Sequence, residues 1–466
     1  MFDYQSIESL SFSELQERFS FQEPVSSVSS ADQNLIEETP KELADIYFQV
    51  NESQEKGDLR RLESALNNLV VYSENNFIGY NKSFGTNSIM KVVFTCLMPS
   101  YKIGIRKCVL GFLANIFAQE ESPFVPVFVD QGIIGVLNRI IGEMKKELNN
   151  ICILCLVSIA SDKEEYKDMV LRMIPLSYLE SILSSGSADE KKSAVKLLRA
   201  YAMYPSTPDI AESIFKLIKR GISMTNQALL KGFFKVSISF AQTENGLVNI
   251  LKDDVFLSFC ESKLIDEKYT SISLILLDTL LSNSSVCVDY NYSSLFSLII
   301  MPKDNIAALS LQVLYNAVIA HPSLCEEMTE LNNIKKLESS IKMNDGKAKK
   351  NGILLTTALI RLSNNHQVRC FVSEDLVTEM IDSLYLEDEE TIDSVFCALY
   401  RLFQNDIFNS DSNYFSKLFL DGNGMDAIQS LIECESESLS KLAQTFKSIC
   451  LAKPKVRIPF NFNQKM

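Results

Sequence analysis

Cys152 and Cys155, a C-x-x-C pair, have the spacing in this 466-residue chain that comes nearest to redox or metal chemistry. Such a pair works by lowering the pKa of one thiol, or by closing half of a zinc tetrahedron with a second pair. Here it lies inside the apolar run ICILC, with no second pair and no His near it, so it reads as core packing. The two histidines, His321 in IAHPS and His366 in NNHQV, each fall at the end of a predicted helix without a partner at ligand spacing. DGNGMDA (421–427) has the G-x-G-x-x-A spacing of a dinucleotide loop, but helical repeat surrounds it, so it reads as a turn and helix start. No P-loop, nucleophile elbow, kinase signature or HExxH is present. The sequence thus predicts no catalytic, cofactor-binding or metal-binding residue, and no enzyme.

Binding chemistry is what remains, carried by amides and guanidiniums at regular spacing. A helix ending in apolar-x-small/polar-apolar can be followed down the chain. Its marker position falls at Asn68, Asn115, Ser158, Ala200, Ser237, Thr279, Asn316, Arg361, Arg401 and Ser448. From 68 to 448 the nine steps average about 42 residues, the period of two- or three-helix repeats. The segments between markers have helical stripes. In 176–202 Leu179, Ile182 and Leu183 share one stripe. After a Ser-Gly-Ser break, Ala194, Leu197, Leu198 and Tyr201 share the next, with Lys191, Lys192, Lys196 and Arg199 outside. The run 151–160 is apolar nearly all round, as an inner helix covered on both sides would be.

Length and charge set the frame. The chain exceeds the usual single-core limit, and 46% apolar residues suffice for a stack of repeats. The sequence divides into an acidic, largely disordered segment over 1–40 (net −7), a repeat region over 41–450, and a basic extended tail over 451–466 (net +4). Within the first, Ser11 and Glu14 have a capping-box spacing that would open a short acidic helix. An overall charge of −14 disfavours nucleic acid as a partner, because phosphate affinity needs clustered cations. No apolar run reaches the roughly 18–20 residues that cross a bilayer, so no membrane insertion is expected. Met1 is followed by FDYQSIESL rather than a signal sequence. With eleven scattered cysteines, this predicts a soluble chain with reduced thiols in the cytoplasm, with the nucleus as a second compartment.

The pattern resembles the armadillo-repeat family over roughly residues 55–450. FVDQGIIGVLNRII (128–141) looks like the family's Gly-linked first and second helices, and ELNNICILCLVSIAS (147–161) like its third. VLGFLANIFA (109–118), ALNNL (65–69) and VLYNAV (313–318) resemble the third helix with its Asn. HEAT-like repeats are the neighbouring alternative. The resemblance implies an all-α, right-handed α-α superhelix: an armadillo-like solenoid of about ten repeats whose third helices line a concave groove for proteins or extended peptides. In the family the third-helix Asn hydrogen-bonds a bound peptide's backbone, and Asn68, Asn115 and Asn316 match that position. Arg361 and Arg401, at markers of successive repeats, would favour an acidic or phosphorylated partner. The function expected is a protein–protein interaction scaffold. The alternative is a nuclear-transport adaptor of the importin-α type, against which stand the absence of Trp and the acidic N-terminal segment.

Overall fold

The computed structural model describes residues 40–451, apart from 77, 79–88, 120–121, 205–206, 225, 284–291, 302, 345, 387 and 409–413. The acidic segment and the basic tail expected from the sequence thus lie outside the described residues, save for Pro40 and Leu451. The described residues form twenty-five α-helices, with short 3-10 turns and no strand. The chain is all-α, as its period predicts.

The helices fall into two compact units, Met1–Leu257 and Ser258–Met466. Ten long helices carry the marker positions and are numbered α1 to α10. In the first unit they are α1 (Leu59–Asn75), α2 (Ile103–Phe117), α3 (Lys146–Asp162), α4 (Ala188–Ala202) and α5 (Gln227–Ala241). In the second they are α6 (Thr270–Asn283), α7 (Asp304–Ala320), α8 (Gly346–Leu362), α9 (Glu389–Phe408) and α10 (Glu437–Leu451). Within each unit every long helix packs on the next. A shorter helix ahead of it covers another side: Ile133–Gly142 on α3, Leu176–Ser185 on α4, Leu331–Met343 on α8 and Gly424–Ile432 on α10.

Local chemistry fixes the helix starts. Asp58 accepts from the backbone N–H of Arg61 at 3.1 Å ahead of α1, and Asn226 accepts from Ala228 and Leu229 at 3.0 and 3.3 Å ahead of α5. Ser187 and Glu190 form a reciprocal capping box at α4. Each such cap is worth about 1 kcal/mol against an alanine. Gly132 adopts φ 81°, a left-handed turn that L side chains resist, and there Phe124–Asp130 gives way to Ile133–Gly142.

Packing then follows the stripes. Leu179, Leu183, Ala194, Leu197, Leu198 and Tyr201 are all buried. In α3, Cys152, Ile153, Cys155, Leu156, Ile159 and Ala160 are at most 1% exposed, because α2 and α4 flank that helix on either side. In the second unit Phe403 of α9 meets Phe415, Phe419 and Phe446, with ring centroids at 4.8, 5.3 and 5.9 Å. Such edge-to-face pairs add about 0.5–1.5 kcal/mol each to the area they bury.

No single helix among the described residues is long and apolar enough to cross a membrane. The bent pair Phe124–Asp130 and Ile133–Gly142 has the length and composition together, but its two parts meet at 75°. Its apolar residues, Phe124, Phe128, Ile133 and Leu137, are buried in the first unit.

Candidate protein-binding face

Polar side chains tie successive long helices together at intervals close to one repeat. Asn115 of α2 donates through Nδ2 to Val70 O at 3.3 Å and to Ser73 Oγ at 2.9 Å on α1. Cys155 of α3 donates to Leu110 O of α2 at 3.6 Å, and Ser193 of α4 to Asn150 Oδ1 of α3. Arg199 of α4 donates through Nε to Ser239 Oγ of α5 at 3.1 Å. In the second unit Asn316 of α7 donates to Asp278 Oδ1 of α6 at 2.7 Å, and Asn351 of α8 to Ala308 O of α7 at 2.9 Å. Arg401 and Asn405 of α9 both donate to Asn365, just beyond α8, at 2.8 Å each.

The residues singled out in the sequence therefore sit in different settings. Asn68 is exposed on α1, and its side chain makes no hydrogen bond with the other described residues. Asn115 is half-buried with both amide protons directed at α1, and Asn316 gives its amide to Asp278 while Gln312 donates to its oxygen at 3.3 Å. Arg361 is half-buried beside Asp393 of α9, close enough to lower that carboxyl's pKa against the upward pull of burial. Arg401 holds Asn365, and its Nε is buried without a hydrogen-bond partner. Asn68 and Asn115 stand on α1 and α2 of the first unit, and Asn316, Arg361 and Arg401 on α7, α8 and α9 of the second.

Two marker positions point inward. Ala200 is 1% exposed, and Ser237 is fully buried, its hydroxyl donating to Phe233 O of its own helix at 2.9 Å. The half-buried positions at these two levels are Arg199 and Ile238, one residue to either side. A helix turns about 100° per residue, so a one-residue offset exchanges core for surface.

The charge on the second unit's helices is mixed. Lys350 pairs with Asp388 at 2.9 Å, Lys349 with Glu379 at 2.7 Å, and Lys347 lies within electrostatic reach of Asp278. Burial raises the carboxyl pKa of Asp278 and of Asp393. Cations gather instead on α4 and α5 in the first unit, where Lys196, Arg199, Lys231 and Lys235 stand on neighbouring helices. Burial pulls the pKa of Arg199 down. The i, i+4 spacing of Lys231 and Lys235 and the Lys196/Arg199 pair were the readable signal for this patch.

The candidate chemical groups are placed as follows. Cys152 and Cys155 are fully buried, and burial pushes the Cys152 thiol up to about 12 and that of Cys155 higher still. His321 lies at the C-terminus of α7, its backbone N–H donating to Ala317 O at 2.8 Å, and His366 lies in the first turn after Asn364. Gly424 opens a helix after Asn423, itself at φ 62°. Among the described residues no three His, Cys, Asp or Glu side chains cluster as metal ligands would.

No family model and no curated protein matches the chain. Among solved structures it is similar to the crystal structure of an engineered protein from the Northeast Structural Genomics Consortium. The TM-score is 0.64 at 16% identity, over 87% of this chain and 98% of that one. A second engineered protein from the same consortium aligns over 52% of this chain and 98% of its own, with TM-score 0.42 and 16% identity. At that identity the first likeness speaks for the all-helical fold alone.

Proposed function

We propose that each unit is a segment of an armadillo-like, right-handed solenoid, and that the chain is a non-enzymatic scaffold binding a protein or extended peptide along its long helices. The observation that supports this reading is the succession of long helices cross-linked at repeat intervals, as in the Asn115–Ser73 and Asn351–Ala308 pairs. A stack of this kind presents one side chain position from each helix in turn, which suits a ligand that is itself extended. Asn68, exposed on α1, and Arg361, half-buried on α8, are the two sequence candidates whose side chains make no hydrogen bond with the other described residues. They are the residues on which a partner's backbone and carboxylates would act.

The test is affinity capture from native extract with the whole chain, repeated with Asn68→Arg and with Arg361→Glu. The expected result is loss of a subset of partners in each variant, with helicity unchanged by circular dichroism. An identical partner set for wild type and both variants would remove these residues from the binding face.

A further inference from the structure

The four cations stand on α4 and α5, two helices that pack closely on one another. A Cβ added to Gly232 would lie 2.8 Å from Val195 Cγ1, so the backbone of α5 rests almost on α4 at that level. Lys196 follows Val195 and Lys231 precedes Gly232 in sequence. The Arg199–Ser239 bond fixes the register farther along. Lys231, Lys235 and Ile238 share one stripe of α5, and Lys196, Arg199 and Met203 one stripe of α4. Lys235 is exposed and the other five are half-buried. The result is a strip of positive charge edged by two apolar side chains, with three of its four cations partly withdrawn from water, where attraction to an anion is stronger than on an open surface.

We propose that this strip is a docking surface for an acidic segment bearing apolar side chains, and that its occupant is the chain's own residues 1–39. Charge is the first argument. Residues 1–40 hold eight carboxylates (Asp3, Glu8, Glu14, Glu17, Glu23, Asp32, Glu37 and Glu38) against the single cation Arg18. Pattern is the second. Phe12, Leu15 and Phe19 recur at i, i+3 and i+7 with Glu14 and Glu17 between them, so a helix there would carry an apolar stripe beside its acids. Reach is the third. The described chain begins at Pro40, and the Lys41–Glu55 helix that follows packs on α1. From α1 to α4 is three helix spacings, about 30 Å at about 10 Å each. Thirty-nine extended residues span on the order of 130 Å, so the connection closes even with a helical stretch inside it.

The inference deepens the scaffold reading by naming an occupant for one part of the face, and its test is separate. The full chain is treated with a carbodiimide, which joins a carboxylate to a lysine only when the two are in contact, and the products are mapped by mass spectrometry. The expected links run from Glu8, Glu14, Glu17 or Glu23 to Lys196, Lys231 or Lys235 within a single chain. They should fall roughly tenfold in about 0.5 M salt, where the Debye length is only about 4 Å. Lys231→Glu with Lys235→Glu should abolish them. Adding Glu14→Lys and Glu17→Lys to that variant should restore links in the swapped direction. Lys231→Gln with Lys235→Gln repeats the test without adding charge, should the reversal disturb the fold. Links scattered over distant lysines such as Lys216 and Lys441 would overturn the proposal, as would links confined to cross-linked pairs of chains. If they do so while capture still responds to Asn68→Arg and Arg361→Glu, the scaffold reading stands without this occupant.

Discussion

The amide of Asn316 donates to the carboxylate of Asp278 at 2.7 Å, joining α7 to α6 through two side chains that both sit in the half-buried seam between the helices. Read from the sequence alone, an Asn at that position is expected to reach outward to a ligand. Here its N–H group and its oxygen are both engaged by residues of the second unit, Asp278 and Gln312. A partner approaching this level would meet the amide already in use.

That bond leads to a pH dependence with a definite sign. Burial is the main influence on Asp278 and raises its carboxyl pKa, while Asn316 and Lys347 pull it partly back. Between the unfolded value, about 3.9, and the raised folded value, the native state holds more protons than the unfolded state, so stability falls as pH rises through that window. Asp278→Asn, which keeps an oxygen for Asn316, should therefore gain on wild type as pH rises above the unfolded value of about 3.9. Denaturant midpoints measured across that range check this; a difference that does not change with pH would rule it out.

Asn351 gives the contrast between a structural amide and an exposed one. It is 5% exposed and donates to Ala308 O across α8 and α7. Asn351→Ala removes a buried bond from a carbonyl that keeps its place in the α7 helix, and should cost about 0.5–1.5 kcal/mol. Asn68→Ala, on an exposed side chain, should stay within about 0.5 kcal/mol. Urea denaturation of the two variants side by side measures the difference.

The guanidinium of Arg106 is completely buried and grips Glu143 with two bonds of 2.7 and 2.8 Å, tying α2 to the end of the Ile133–Gly142 helix. Glu143→Ala would leave the cation buried and unpaired, at a cost of about 3–5 kcal/mol. The bond from Arg106 is the largest influence on Glu143 and holds its pKa below the ordinary value. Its contribution is present above the unfolded pKa of about 4.3 and disappears as pH falls through the folded value. The gap between wild type and Glu143→Gln should therefore close below about pH 4 in acid titrations followed by circular dichroism.

Gly232→Ala should cost about 1–3 kcal/mol, because its methyl would enter the space held by Val195. Adding Val195→Ala should recover part of the loss, and a double-mutant cycle reads the coupling. Additive effects would mean that the two helices do not meet as tightly as the structure has them.

The thiols of Cys152 and Cys155 should resist alkylation at about pH 8 in the folded chain and react once it is unfolded. Both are 0% exposed, and burial pushes Cys152 up to about 12, which leaves almost no thiolate. Mass spectrometry after a short pulse of reagent, with and without denaturant, decides. Labelling of Cys152 in the native state would mark it as a reactive group rather than a packing one.

How far the sequence could be read is clear at Arg199 and Ala200. Apolar spacing was enough to find α4 and its buried Leu197, Leu198 and Tyr201. It did not settle the rotation at the marker, because neighbouring residues on a helix point about 100° apart and both are compatible with the motif. Arg199 was read as lying outside the apolar stripe; its bond to Ser239, 40 residues on, has no signature in the local sequence. The same holds for Asn115. An amide reads alike whether its partner is a bound peptide or Ser73 of the preceding repeat, and only the packed structure distinguishes them.

Several of the bonds between helices end on main-chain carbonyls: Val70, Leu110, Ala308 and Asn365 each offer one to the next helix. An acceptor of this kind belongs to the peptide unit, whatever side chain hangs from it. The residue that supplies it can be replaced over generations without breaking the link, provided the helix stays in place. Only the donor is chemically constrained, and amide, thiol and hydroxyl donors all occur in that role. Such an arrangement lets repeats drift apart in sequence while their stacking persists. That is a physical route by which stacked repeats can keep their packing as their sequences diverge.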